Sequence, residues 1–217
     1  MTAGHDLPES VCSKLEQGLE QLGLRPTSEQ QQTLFKLLSL LHKWNRAYNL
    51  TAVRSLDEMV VKHLLDSAAV LPWVRGPRLL DVGAGPGLPG LVLSILNPDL
   101  EVTLLDSNGK KVRFQRQAMM ELGLSRVTPV QARVEAHEDH PFDQVISRAF
   151  ASLGDFVTQS ASLLARGGEW LAMKGRYPHD EVQDLPHDVE LIDSRALQIP
   201  GEAGQRHLLT LGRRVTP

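Results

Sequence analysis

The sequence has little cysteine, few aromatic residues and no long apolar run. Cys12 is the only cysteine among 217 residues, so neither a disulfide framework nor a cysteine-based metal site is available. This favours a reducing compartment, and we expect a cytoplasmic protein. The first twenty residues carry charges throughout, and no uncharged stretch is long enough to cross a bilayer. We therefore expect neither a signal peptide nor a membrane partner.

A global excess of positive charge is also missing. The formal net charge is −3, so any surface for nucleic acid must be local. The histidines are scattered, and His137 and His140 stand among the acids Glu138, Asp139 and Asp143. No complete ligand set is visible there. We expect a solvated acidic turn and no metal.

What is present is a change of pattern near residue 72. Before it, apolar residues recur at helical spacing over about 7–24, 28–44 and 55–70, which predicts three helices. Thr27 with Gln30, and Ser55 with Glu58, have the spacing of capping boxes. The second helix is expected to end in a loop-like run at 45–51. We predict a helical head over 1–72, packed on a main domain over 73–217.

From Arg78 onward, short apolar strands alternate with helices. Five strands are predicted at 78–83, 101–106, 127–131, 144–147 and 169–173, and two closing strands near 188–193 and 207–212. Gly167 and Gly168 are expected to end the helix after the fourth strand. This alternation predicts an α/β fold with a mostly parallel, doubly wound sheet. The last two strands lack a helix between them, which predicts an antiparallel hairpin at one edge.

Residues 81–90, DVGAGPGLPG, form the most distinctive stretch. Gly83 and Gly85 follow an apolar strand and allow the backbone to turn sharply and approach a ligand closely. Pro89 suits the first position of the next helix. Strand, glycine loop and helix start together predict a nucleotide-type site. Asp106, at the end of the second strand, is placed to accept both ribose hydroxyls of an adenosine or, alternatively, to cap the helix near 109.

The loop also separates two nucleotide ligands. Residues 85–90 match the G-x-G-x-x-G spacing of dinucleotide enzymes, so an NAD-linked oxidoreductase is one alternative. Asp81 beside the loop suits a ligand with an ammonium group and would repel a pyrophosphate. Pro86 and Pro89 remove N–H donors that a pyrophosphate would need. With the predicted edge hairpin, these features favour S-adenosylmethionine and a class I methyltransferase, which has a Rossmann-like, seven-stranded sheet.

Seven runs, standing in order, closely resemble the RsmG family, also called GidB or glucose-inhibited division protein B. They are 44–51 (WNRAYNLT), 63–67 (HLLDS), 81–90, 104–107 (LLDS), 110–114 (KKVRF), 146–151 (ISRAFA) and 173–175 (MKG). The resemblance covers about residues 30–215. It implies methyl transfer from S-adenosylmethionine to N7 of a guanosine in the decoding region of 16S ribosomal RNA, with that RNA or the small ribosomal subunit as partner. We further expect a monomer.

Position and resemblance together assign the cofactor residues. They are Gly83, Gly85, Leu88, Asp106, Val134, Glu135 and Arg148. Arg148 and Lys174, at the ends of the fourth and fifth strands, are expected to position the substrate. No residue is needed as a base, because guanine N7 already presents a lone pair. Two alternatives stay open: Glu135 as an exposed helix cap, and Arg148 in a surface salt bridge with Asp143.

Local positive charge lies between Ser107 and Arg133, where six basic residues accompany one acid, Glu121. We predict that RNA contacts come from Asn49, Lys110, Lys111, Arg113 and Arg116. The bland alternative is a solvated helix face. In the head, Arg46, Tyr48, His63 and Asp66 either close the cleft over the target base or brace the head, and Phe150 is a candidate to stack on the guanine. A non-catalytic RNA-binding assembly factor is the other alternative function.

Overall fold

A single mixed sheet organises the computed structural model, which describes residues 7–214. Its strands are β1 (Arg78–Val82), β2 (Glu101–Asp106), β3 (Val127–Gln131), β4 (Phe142–Ser147), β5 (Leu164–Lys174), β6 (Val189–Leu197) and β7 (Arg206–Arg213). The strand order is β3-β2-β1-β4-β5-β7-β6. The first five strands are parallel, and β7 runs antiparallel to both β5 and β6. The predicted parallel sheet with an antiparallel edge hairpin is confirmed.

Helices cover both faces of this sheet. They are α1 (Glu9–Gln21), α2 (Ser28–Tyr48), α3 (residues 56–68), α4 (Gly90–Leu96), α5 (Gly109–Leu122), α6 (Leu153–Ser160) and α7 (His179–Gln183). The middle of α3, Val60–Leu65, is π-helical. No helix within residues 7–214 is long and apolar enough to span a membrane.

The start of α2 is fixed by the predicted capping box. Thr27 Oγ1 accepts from the Gln30 N–H at 3.2 Å, and Gln30 Oε1 accepts from the Thr27 N–H at 2.8 Å. The second box is only half formed. Ser55 Oγ accepts from the Glu58 N–H at 3.2 Å, but the Glu58 carboxylate accepts from the Ser55 hydroxyl. Both helices nevertheless begin where the sequence predicts.

The predicted end of α2 and the predicted start of α4 were both wrong. α2 continues into the run 45–51 that was expected to be a loop and ends at Tyr48, with Asn49 in the left-handed region at φ 52°. The buried Asn45 side chain explains this, because it bonds the backbone of Thr51 and Val53 and so ties the helix end to the next segment. Pro89 is the N-cap of α4 and not its first helical residue.

Gly167 and Gly168 lie inside β5 and do not end α6, contrary to expectation. α6 ends at Ser160, and a short 3₁₀ turn, Ala161–Leu163, leads directly into the strand. The register of β5 against β4 shifts across this segment. Gly167 has φ +78°, which serves an irregular strand as well as a helix end, so local sequence does not distinguish the two.

Alternate residues of the central strands point to two separate cores. Leu79 and Ile146 face the side covered by the head helices, α4 and α5, while Leu80, Val145 and Trp170 face the side covered by α6. The first core also contains residues of the head helices, such as Leu15, Leu38 and Leu64. The helical head therefore packs directly against one face of the sheet.

Candidate active site

A cleft opens at the carboxyl ends of the parallel strands, and two adjoining cavities form it. The β2–β3 cavity, of about 230 Å³, is lined by residues that follow β2 and β3. The head cavity, of about 500 Å³, lies between the loop at 83–88 and α3. Gly83, Lys111 and Ala149 line both cavities. The two cavities therefore form one continuous site.

All the residues predicted to bind cofactor or position substrate line this cleft. Gly83, Asp106, Val134 and Glu135 line the β2–β3 cavity. Gly83, Gly85, Leu88, Arg148 and Lys174 line the head cavity. The predicted RNA contacts divide: Lys111 enters the cleft, whereas Asn49, Lys110, Arg113 and Arg116 are exposed at the end of α2 and along α5. Their roles remain predictions.

The glycine loop is held against the ends of β2 and β4. The N–H groups of Gly83 and Ala84 both donate to the Leu105 carbonyl, at 2.8 and 3.1 Å. Gly83 has φ +68°, and a Cβ added there would lie 2.8 Å from the Ala149 Cβ. Only glycine fits this close approach without displacement.

Asp106 ties the end of β2 to the glycine loop. Its Oδ2 accepts from the Gly85 N–H and its Oδ1 from the Asn108 N–H, both at 2.8 Å. The cap of α5 is Asn108, whose side chain accepts from the Lys110 N–H at 3.0 Å. Each Asp106 oxygen keeps a further lone pair for a ligand hydroxyl. Asp106 thus orients the loop and keeps capacity for a ribose.

Asp81 does not face the cleft, although the sequence predicts that it lies beside the ligand. It is completely buried and absent from both cavity walls, and its Oδ2 accepts from the Gly90 N–H at 2.8 Å. Because β1 alternates, Asp81 points to the same side as Leu79, beneath the first turn of α4. Burial raises the pKa of its carboxyl to about 7. The Asp81 side chain anchors the helix and supplies no counter-charge to a bound ammonium group.

Charged side chains build the head side of the cleft around Asp66 in α3. This carboxylate is 5% exposed, with Oδ2 at 3.0 Å from an Arg148 guanidinium nitrogen and Oδ1 at 3.0 Å from Arg206 Nε. The expected alternative partner of Arg148 was wrong, because Asp143 instead accepts from the Arg78 N–H. Arg148 therefore joins the end of β4 to the head and lies in the cleft wall.

His63 occupies the same wall in its neutral form. Its Nδ1 lies 3.0 Å from the Lys62 carbonyl and its Nε2 lies 2.8 Å from Thr51 Oγ1. This geometry fits an Nδ1–H that donates to the carbonyl and an Nε2 that accepts from the hydroxyl. Burial, aided by the positive charge of Arg148, lowers the pKa of His63 to about 4. The imidazole is therefore uncharged near neutral pH.

Lys174 and Phe150 occupy different parts of the cleft. The Lys174 ammonium is 2.8 Å from Glu181 Oε2 and 3.3 Å from the Phe150 carbonyl. Phe150 lines the β2–β3 cavity, where its ring lies 5.2 Å from that of Phe156. The Phe150 side chain thus lies beside the predicted cofactor residues, while its carbonyl contacts Lys174 of the head cavity.

Lys111 lines both cavities without an ion-pair partner. Lys62, Arg148, Lys174 and Arg206 each have a carboxylate partner, whereas Lys111, like Arg133 of the β2–β3 cavity, has none within residues 7–214. A Cβ added to Gly85 would lie 3.9 Å from Lys111 Nζ. The place of Lys111 in the cleft was not predicted, although one residue along a helix turns the side chain by about 100° from that of Lys110.

Arg206 and His207 also line the head cavity and escaped the sequence argument. They come from β7, and no local motif marks that strand as part of a site. No group of three or more His, Cys, Asp or Glu side chains in the described part of the chain is placed to hold a metal ion.

Solved structures with this fold are methyltransferases of several kinds. TrmN from Thermus thermophilus aligns with a TM-score of 0.59 at 20% identity, covering 80% of this chain and 53% of TrmN. Ribosomal protein L11 methylase from Lactobacillus delbrueckii subsp. bulgaricus gives 0.55 at 16% identity, covering 69% and 77%. A methyltransferase from Thiobacillus denitrificans, solved with S-adenosyl-L-homocysteine, gives 0.50 at 13%, covering 69% and 91%. These identities support the class I methyltransferase fold alone.

Sequence relatives are much closer. Ribosomal RNA small subunit methyltransferase G from Chromohalobacter salexigens is 63% identical over 93% of this chain and 97% of its own length. The proteins of the same name from Psychromonas ingrahamii and Enterobacter sp. are 48% and 49% identical, each covering at least 93% of this chain and 98% of the relative. The model of the family GidB, described as rRNA small subunit methyltransferase G, matches residues 30–209. The chain therefore belongs to the GidB family of ribosomal RNA small subunit methyltransferases.

Proposed function

We propose that this protein transfers the methyl group of S-adenosylmethionine to N7 of a guanosine in the decoding region of 16S ribosomal RNA. It acts in the cytoplasm, as a monomer, on that RNA or on the small ribosomal subunit. One observation carries the proposal in a chain of this family. The strand ends bring Asp106, the glycine loop, Arg148 and Lys174 into one continuous cleft.

The β2–β3 cavity and the loop fit the cofactor. Together the two cavities fall within the range of roughly 300–1,000 Å³ that is typical of small-molecule sites. Asp106 accepts the ribose hydroxyls with its free lone pairs, and the backbone at Val134 and Glu135 contacts the adenine. Gly83 and Gly85 let the main chain approach the methionine portion. When bound, S-adenosylmethionine supplies a methyl group activated on a sulfonium.

For this reaction the protein has to orient the two substrates and does not have to transfer a proton. Guanine N7 carries an in-plane lone pair that is free to attack, so neither a base nor a nucleophile is required. The chain holds the base in line with the methyl group and keeps water away, which is catalysis by proximity and orientation. Arg148 and Lys174 donate to guanine O6 or to a phosphate, because N7 itself must stay free.

RNA approaches across the first half of α5. Lys110, Arg113 and Arg116 are exposed there and have no carboxylate partner within residues 7–214. Each phosphate contact from such a side chain adds to a salt-sensitive affinity. Asn49 borders this surface from the end of α2.

Neither alternative function gains support. The family match names a methyltransferase and no oxidoreductase, and the solved structures that align with this fold are named as methyltransferases. A non-catalytic assembly factor would have no need of a cleft that combines Asp106 with the glycine loop.

The proposal can be tested with labelled S-adenosylmethionine and small subunits that lack the N7 methyl group. We expect label in N7-methylguanosine after digestion of the 16S RNA, and none with the Asp106→Ala protein. Parallel reactions on naked RNA identify the preferred form of the substrate. Absence of label in N7-methylguanosine with the wild-type protein would overturn the proposal, and calorimetric binding of NAD in place of S-adenosylhomocysteine would favour the oxidoreductase.

A further inference from the structure

An exposed aromatic ring stands at the end of α2. Tyr48 is 42% exposed and, with Met120 and Ile192, is one of three large apolar side chains left in solvent within residues 7–214. A single exposed apolar side chain is ordinary. Tyr48 differs from the other two in what supports it, where it lies and which charged residues follow it along the chain.

Other aromatic rings support Tyr48 from below. Its ring centroid lies 5.0 Å from that of Trp44, at an interplanar angle of 36°. Trp44 in turn meets Phe114 edge-on at 5.7 Å, and Phe114 is fully buried in α5. This column holds the Tyr48 ring in place while part of it remains open to solvent.

Packing of α2 against α5 brings Tyr48 near the start of α5. The start of α2, with Thr27 and Gln30, shares a groove with the end of α5 at 122–127, so the two helices run antiparallel. Trp44 meets Phe114 further along. One turn beyond Trp44, Tyr48 therefore lies beside the first turn of α5, which carries Lys111 into both cavities.

Tyr48 is also close in sequence to a residue that contacts the wall of the head cavity. Thr51 lies three residues after Tyr48 and is hydrogen-bonded at 2.8 Å to His63, which lines that cavity. Tyr48 thus lies three residues from a segment that is hydrogen-bonded to the wall of the head cavity.

Cations without carboxylate partners follow the ring along the chain and occupy the first half of α5. They are Arg54, Lys110, Lys111 and Arg113, none of which forms an ion pair within residues 7–214. The Arg54 guanidinium donates to Asn49 Oδ1 at 2.7 Å and to the Asn45 carbonyl at 3.3 Å. Both acceptors are neutral, so Arg54 is held in place with its charge uncompensated. A phosphodiester chain complements this arrangement.

We propose that Tyr48 is a stacking platform for an unpaired RNA base next to the target guanine, with the flanking phosphates held by Arg54, Lys110 and Lys111. The inference rests on the proposed function, since it names how the RNA is held at that site. A guanine must leave its stack to reach the cleft, and stacking of its neighbour on Tyr48 compensates part of that loss. Aromatic side chains bind unpaired bases in this way with little dependence on sequence.

Stacking on Tyr48 can be tested by the kinetics of methylation, with small subunits that lack the N7 methyl group as substrate. Tyr48→Ala should raise KM for the subunit by roughly tenfold, the size typical of one base–aromatic stack. Its kcat, its affinity for S-adenosylhomocysteine and its unfolding midpoint should stay near wild type. Tyr48→Phe keeps the ring and should keep the wild-type KM, whereas Tyr48→Leu keeps apolar bulk only and should resemble Tyr48→Ala. Met120→Ala removes a more exposed apolar side chain from the far end of α5 and is the matched control.

Different results overturn different statements. If the wild-type protein methylates the subunit and Tyr48→Ala has an unchanged KM, Tyr48 is not a stacking platform and the proposed function stands. Joint loss of S-adenosylhomocysteine affinity and thermal stability in Tyr48→Ala would assign the ring a purely structural role. Failure of Tyr48→Phe to restore KM would assign the effect to the hydroxyl and reject stacking. No transfer by the wild-type protein would refute the proposed function itself.

Discussion

The two sides of the cleft are built in different ways. On the β2–β3 side, Asp106 and the Leu105 carbonyl hold the backbone of the glycine loop, and the contacts join neighbouring strand ends. On the head side, Asp66 joins Arg148 and Arg206, which lie 82 and 140 residues away in sequence. The first arrangement is intrinsic to the edge of a parallel sheet. The second exists only once the head has packed on that sheet, so it couples the two regions.

The largest expected effect is on the β2–β3 side. Asp106→Ala removes the acceptor for the ribose and releases the N–H groups of Gly85 and Asn108. Because charge-assisted hydrogen bonds contribute about 1.5–3 kcal/mol each, S-adenosylhomocysteine affinity should fall about 100-fold or more in calorimetry. Asp106→Asn keeps one acceptor oxygen and should lie between the two. Binding within a few fold of wild type would show that Asp106 does not hold the ribose.

On the head side, Asp66→Asn should affect stability more than cofactor binding. It removes the carboxylate that two arginines share, and Arg148 and Arg206 are only 23% and 29% exposed. Breaking such a pair should lower the free energy of unfolding in urea by about 2 kcal/mol. Glu58→Gln, which breaks the exposed pair with Lys62, should leave the urea midpoint almost unchanged. If the two substitutions lowered the free energy of unfolding equally, the buried pair would contribute no more to stability than the exposed pair.

The head side should also be the acid-sensitive side. The pKa of His63 is about 4 in the folded protein against 6.5 ordinarily, so between these values the unfolded chain binds a proton that the folded chain does not. Stability from neutral His63 is therefore lost as pH falls through 6.5 towards 4. Asp81 has the opposite slope, because its raised pKa makes stability fall as pH rises from 3.8 to about 7.

A comparison with His63→Gln isolates the histidine, because Asp81 is present in both proteins and cancels in the difference. Lowering the pH from 7.5 to 5.5 should reduce wild-type stability relative to the variant by about 1.3 kcal/mol. Urea unfolding at the two pH values measures this. A difference that does not change with pH would show that His63 is protonated alike in both states.

The smallest effect is expected where the two sides meet. Lys111→Met removes the unpaired cation that lines both cavities, while Lys110→Met removes an exposed neighbour of the same charge. We expect kcat/KM on small subunits to fall about threefold more for Lys111→Met, because the ammonium inside the cleft is less screened by solvent. Equal losses would show that the position of Lys111 in the cleft gives its charge no greater effect than that of Lys110.

Local sequence determined the sheet and the β2–β3 side of the cleft. Apolar runs and glycine positions define where strands end, and the carboxyl ends of parallel strands meet at one edge of the sheet. Gly83, Asp106 and Arg148 lie at such ends and are therefore close together. The capping box of Thr27 and Gln30 is equally local, because both partners lie within one turn.

Only the tertiary structure decided which way several side chains point and what they meet. Asp81 follows the alternation of β1 to the buried side, where α4 covers it, although its neighbours in sequence form the ligand loop. Arg148 pairs with Asp66 in place of Asp143 because the head packs over the end of β4. Lys111 enters the cleft while Lys110 stays outside. Each outcome depends on the packing of segments far apart in sequence, a property that no local pattern contains.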